Sequence, residues 1–175
     1  MSETNENGSA DTSPRCIMVG VDGSDYSTDA LRLAGELAAA LHAPLEAVTC
    51  WGTLAGFAAL DVAAGNFPEK DQLEEQARKL VVRAAERAFG GNPPVPMEIT
   101  VRFGPTAKTL LQESRRARML VVGRRGSGGF LGQVMGSVSS ACSAHAHCPV
   151  LVVASQADDA APEAAGRTAA TATLP

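Results

Sequence analysis

The chain has 175 residues, a formal net charge of −4 at pH 7, 45% hydrophobic residues and 4% aromatic residues. That length suits one domain with tails, and the scarcity of aromatics assigns its core to Ala, Val and Leu. The acidic balance without a basic tract excludes the usual electrostatic footprint of a nucleic-acid binder.

The opening stretch MSETNENGSADTSPR is polar and acidic, without the basic start and apolar centre of an export signal. No apolar run approaches a bilayer span, so neither membrane nor secretion is expected. Cys16, Cys50, Cys142 and Cys148 lack the close pairing of a zinc site and read as reduced thiols in a cytoplasmic protein. Residues 1–14 and 156–175 are polar or Ala/Thr/Pro-rich without hydrophobic period, and are expected to be disordered tails around a domain at 15–155.

Cys16 to Val21 is an apolar run ending in Asp22-Gly23-Ser24, which predicts a buried strand, a turn and a helix start. Ala30, Leu33, Ala34, Leu37 and Leu41 then share a helical face, stopped by Pro44. Leu45 to Trp51 reads as a second strand, followed by a Gly/Ala-rich loop over 52–67. Leu73, Ala77, Leu80, Val81, Ala84 and Ala88 mark a long amphipathic helix, ended by Gly90-Gly91-Asn92-Pro93-Pro94. A third strand is expected at Met97–Phe103, then a short helix with Ala107, Leu110 and Leu111 inward. Met119–Val122 is the fourth strand; Val134, Val138, Ala141 and Cys142 define a last helix, and Val150–Val153 a fifth strand. Apolar strands alternating with helices imply an α/β fold, a doubly wound five-stranded parallel sheet with helices on both faces.

The stretch between the fourth strand and the last helix carries the clearest chemistry. Gly123-Arg124-Arg125-Gly126 follows a buried strand, and Gly136-Ser137 stands where a helix begins. Glycines let backbone N–H groups approach an anion, and a helix start adds unpaired N–H groups and the positive end of its dipole. The P-loop pattern is excluded because no Lys precedes the Ser. The dinucleotide pattern fails because Leu131 takes the third glycine's place and Gly132 comes one residue late. A plain flexible loop is the bland alternative.

Other residues have two readings each. Ser137 offers a hydroxyl to an anion or caps the helix. Asp22 forms an Asx turn or helix cap, or meets ribose hydroxyls or a bound Mg²⁺, since a bare carboxylate repels phosphate. Arg124 and Arg125 are solvated, or one of them, Arg125 by preference, pairs with phosphate. His145, His147 and Cys148 look like a metal cluster, but residues two apart on a helix do not face together, so the histidines read as cations or caps at a helix carboxyl end.

The spacing Gly123-x2-Gly126-x9-Gly136-Ser137 resembles the ATP-binding motif of the universal stress protein family. Val19-Gly20-Val21-Asp22-Gly23-Ser24 is similar to that family's opening signature, and Cys148-Pro149-Val150-Leu151-Val152-Val153 to its final strand. The resemblance covers about residues 14 to 155. It implies a strand order of 3-2-1-4-5, which sets the loops after strands 1 and 4 over one switch-point crevice. It further implies that Gly20, Val21 and Asp22 contact the nucleoside, and that Cys50, where relatives often carry Val, lines the adenine pocket. The phosphates then fall to Gly123, Gly126, Gly136, Ser137 and Val138. Arg118 departs from the Asp that relatives usually carry there, at a position leading into the fourth strand and away from the crevice.

The expected function is a regulatory or stress-response module that binds ATP, or another adenine nucleotide, with Mg²⁺. Slow ATP hydrolysis is the alternative, for which the motif supplies no obvious base; Asp22 or a group from 52–67 would have to serve. A third is an interaction module: the resemblance implies homodimers through the fifth strand, whose apolar edge would want cover.

Overall fold

Residues 15–52, 69–127 and 134–155 are described by the computed structural model, and in them parallel strands alternate with helices. Strand β1 is Ile17–Gly20, β2 Leu45–Trp51, β3 Met97–Phe103, β4 Met119–Gly123 and β5 Val150–Val153. Helix α1 is Asp25–Ala40, α2 Lys70–Phe89, α3 Thr106–Glu113 and α4 Ser137–His145. The sheet order is β3-β2-β1-β4-β5, all parallel, as the doubly wound reading expects.

Side-chain alternation in the strands builds two cores. Ile17, Val19, Leu45, Ala47 and Val121 point to the face covered by α1 and α2, where Ala30, Leu31, Ala34, Val81 and Ala84 meet them. Met18, Val48, Leu120 and Val122 point to the other face and pack against Leu110 of α3 and Cys142 of α4. Each central strand is therefore apolar at consecutive positions, because both of its faces are covered.

Local chemistry sets the helix ends. Ser24 caps α1, its Oγ accepting the Ser27 N–H at 3.2 Å. Gly90 ends α2 in the left-handed conformation, φ 60°.

Several expectations need correction. Cys16 and Val21 flank β1 without belonging to it. Leu33 is half-buried while its neighbour Leu31 is buried, so the core stripe of α1 is rotated from the expected one. Val134, expected in the last helix, precedes it and is 79% exposed, because Gly136 takes the N-cap position. The expected tails, the 53–67 segment and the loop glycines Gly128 and Gly132 lie outside the described residues.

Among the described residues, one core residue is charged. Glu46 in β2, 3% exposed, faces α3 and receives both guanidinium nitrogens of Arg116, at 2.6 and 2.5 Å. Thr100 Oγ1 donates to it at 2.6 Å and Cys16 Sγ at 3.3 Å. Glu113 accepts from Arg116 and Arg102 at 2.6 and 2.7 Å, extending the network along the α3 face. Burial disfavours the Glu46 charge, yet the bonds from Arg116, Thr100 and Cys16 outweigh it and hold the carboxyl below its ordinary range. The same burial, with Glu46 beside it, pushes the Cys16 thiol up to about 12.

Candidate functional site: the crevice between the first and fourth strands

Strands β1 and β4 are neighbours, with Ile17 opposite Met119 and Val19 opposite Val121. Their last residues, Gly20 and Gly123, therefore lie at the same end of the sheet. The chain leaves β1 into α1 on one face and β4 into α4 on the other, which opens a crevice at the switch point.

Asp22 ties the two walls together. Its Oδ1 accepts the Ser24 N–H at 3.0 Å and the Ser24 hydroxyl at 2.6 Å, so the Asx-turn reading describes one oxygen. Its Oδ2 accepts the Ser127 N–H at 2.9 Å, from the loop after β4. A carboxylate and a backbone N–H separated by 105 positions thus meet across the crevice.

The motif glycines differ in what requires them. A Cβ at Gly123 would stand 2.7 Å from the Tyr26 carbonyl carbon, in the first turn of α1. A Cβ at Gly126 would stand 2.6 Å from Asp22 Oδ2. At Gly136 the nearest atoms, Arg124 O and Arg125 Cα, lie at 3.5 Å, an ordinary contact, and φ is −70°. Neither crowding by the described residues nor backbone strain demands glycine there.

The α4 N-terminus is tied to the loop by its own backbone. Gly136 N–H donates to Arg124 O at 2.8 Å, and buried Ser139 Oγ donates to Gly123 O at 2.6 Å. The first intrahelical bond runs from Ser140 N–H to Gly136 O at 2.9 Å, so the N–H groups of Ser137, Val138 and Ser139 precede it. Gly136 takes the N-cap position and Ser137 is the first helical residue, exposed, so Ser137 is not the N-cap that the cap reading supposed. Val138 directs its side chain to the α3/α4 core and Val21 to the α1/α2 core. Val21 N–H is given to Val48 O at 2.9 Å.

Gly20 closes β1 beneath Leu110 and Val122. Cys50 lies two positions past Val48, the partner of Gly20, and meets Thr109 and Thr106 of α3. Burial raises its thiol, against the opposing effect of those two hydroxyls. Arg125 Nη1 donates to the Tyr26 hydroxyl at 3.0 Å, and its guanidinium carbon lies 5.8 Å from that ring's centroid. Arg118, at the opposite end of β4, donates to Leu41 O at 3.0 Å, away from the crevice. His145 ends α4, and the backbone N–H of exposed His147 donates to Ser114 Oγ at 3.0 Å.

Sequence reasoning missed Tyr26, Ser127 and Ser139. Tyr26 and Ser139 sit on helix turns with no motif signature. Ser127 acts through its backbone, which residue type does not report.

A model described as the universal stress protein family matches residues 14–154. Universal stress protein Rv2005c of Mycobacterium tuberculosis is 34% identical over 139 residues, 78% of this chain and 44% of its own length. The chain thus spans less than half of that relative. A solved universal stress protein in complex with cAMP aligns with a TM-score of 0.54 and 25% identity, over 81% of this chain and 98% of its own. A universal stress protein family protein from Arabidopsis thaliana with AMP bound aligns with a TM-score of 0.52 and 21% identity, over 86% and 97% of the two chains. The strand order, the switch-point crevice and a family match over nearly the whole described chain lead to one assignment: the chain belongs to the universal stress protein family.

Proposed function

We propose that the domain at 15–155 binds an adenine nucleotide, ATP with Mg²⁺, in the crevice between β1 and β4, and acts as a nucleotide-dependent regulatory or stress-response module in the cytoplasm. The observation that carries this reading is the α4 N-terminus. Its three leading N–H groups follow a glycine that no described residue crowds, beside a loop already bent around a carboxylate. Backbone donors and a helix dipole converging on one small space suit phosphate.

In this reading Gly123, Gly126, Gly136, Ser137 and Val138 take the phosphates, with Arg125 swinging from Tyr26 to pair with them. Gly20, Val21 and Asp22 meet the nucleoside, and Cys50 borders the adenine. Mg²⁺ would arrive on the phosphates, since the described residues hold no group of three metal-ligating side chains and Asp22 is the carboxylate at hand. The relatives described with cAMP and AMP favour an adenine nucleotide in general. Binding is favoured over hydrolysis because the glycine/serine motif supplies no obvious base to position a water at the terminal phosphate. Isothermal titration with MgATP, AMP and cAMP tests the reading; folded protein that gives no heat with any of them sinks it.

A homodimer through β5 is a second part of the proposal. The strand is a sheet edge, and Val150–Val153 are all apolar and each only half-buried. Light scattering is the measurement, and a monomer at high protein concentration rejects it.

A further inference from the structure

We infer that Asp22 is a resident anion in the phosphate loop, displaced on binding, and that it selects ligands which bring a partner for the displaced oxygen. The inference rests on the nucleotide-site reading above and deepens it.

The geometry is that of a small anion on a loop. Asp22 Oδ2 accepts the Ser127 N–H at 2.9 Å and lies 2.6 Å from where a Gly126 Cβ would be, so the carboxylate fills the hollow left by the missing side chain. Oδ1 is anchored separately, by the Ser24 N–H at 3.0 Å and the Ser24 hydroxyl at 2.6 Å. A phosphoryl oxygen seeks the same kind of donor in the same kind of hollow. Two anions cannot share one N–H, and at this separation they repel. A phosphate that takes the Ser127 N–H therefore expels Oδ2 while Oδ1 keeps its hold on Ser24.

The expelled oxygen then needs a donor or a cation. A metal-free polyphosphate brings neither, so it meets both the lost hydrogen bond and the repulsion. A nucleotide carrying a divalent cation and ribose hydroxyls brings both. Asp22 thus makes the loop a poor site for bare polyphosphate and a good one for a metal–nucleotide.

The test compares the wild-type chain with Asp22→Asn, which keeps an oxygen for Ser24 and removes the charge. The probes are inorganic tripolyphosphate without divalent cation and MgATP, both followed by calorimetry. Asp22→Asn should bind tripolyphosphate about tenfold more tightly than wild type, the weight of one charge-assisted hydrogen bond, and should gain nothing for MgATP. Asp22→Ala, checked for folding by circular dichroism, should show the same gain if the amide variant is poorly folded. In ligand-free protein the Ser127 amide resonance should shift in both variants, which tests the contact without any nucleotide. Equal tripolyphosphate affinity in wild type and variants, absence of binding in all of them, or an unmoved Ser127 resonance overturns the inference. A wild type silent to every nucleotide, with variants that gain tripolyphosphate, rejects the nucleotide reading and leaves the resident anion standing.

Discussion

Tyr26 lies so close against Gly123 that a Cβ at position 123 would stand 2.7 Å from the Tyr26 carbonyl carbon and 2.8 Å from its oxygen. The obstacle is backbone in the first turn of α1, which cannot rotate aside as a side chain would. Gly123→Ala should therefore cost about 1–3 kcal/mol by overpacking and shift α1 against β4. Gly136→Ala meets atoms at ordinary contact distance and should cost under ~1 kcal/mol, the difference between Gly and Ala at an N-cap. If the crevice binds phosphate, Gly136→Ala should still weaken MgATP binding severalfold. Urea denaturation and calorimetry on the pair separate packing from ligand access; equal stability losses would refute the distinction.

Arg116, its side chain 47% exposed, reaches Glu46, whose side chain is only 5% exposed. Arg116→Ala would strand the Glu46 charge, at about 2–3 kcal/mol, below the ~3–5 kcal/mol of a fully buried pair because one partner keeps much of its water. The sign with pH follows from Glu46 and Glu113, both held below their ordinary value of 4.5 despite burial, by the bonds from Arg116, Thr100, Cys16 and Arg102. Their contribution is fully present above 4.5 and is lost as pH falls through the lowered folded-state values. Denaturation midpoints should fall on acidification below 4.5, and Arg116→Ala should flatten that fall. An unchanged slope in the variant would count against the network as its source.

Cys142 is fully buried, and burial with Cys148 nearby pushes its thiol up to about 11. Cys16 is pushed further, to about 12. Thiolate is the reactive form, so both should be alkylated by iodoacetamide at pH 8 at least tenfold more slowly in folded than in urea-unfolded protein. Peptide mass spectrometry reads the ratio residue by residue. Rapid native labelling at Cys142 would mean that α4 opens far more readily than its packing implies.

Arg125 rests on Tyr26, within the loop proposed for phosphate. Arg125→Gln should weaken MgATP binding by about tenfold, as loss of a charge-assisted hydrogen bond does, and leave adenosine binding unchanged. Calorimetry with both ligands decides it, since an equal loss for adenosine would make the residue a support for the loop's shape.

The fold was largely legible because its signals are periodic. β2, β3 and β5 have the bounds expected from apolar runs and from the breakers Pro44, Pro94 and Pro149, and order 3-2-1-4-5 came from resemblance, since periodicity carries no neighbour information. The last helix starts later than Val134 suggested, because a single apolar residue near a glycine loop does not mark a boundary. The candidate site was legible as residue types and illegible as contacts. Glycine spacing pointed to the loop, but that Gly123 answers to Tyr26 and Gly126 to Asp22 depends on backbone atoms from distant segments. Glu46 passed unnoticed within an apolar strand because its partner Arg116 lies 70 positions away.

The two walls of the crevice are far apart along the chain, Asp22 and Ser127 by 105 positions, and β4 must slot beside β1 before they meet. During synthesis the first half carries β1, α1 and β2, yet it holds no completed crevice. That completion waits until the loop after β4 has left the ribosome. A ligand of the crevice would then recognise only chains that have closed the sheet, and would stabilise them over every shorter or partly folded form.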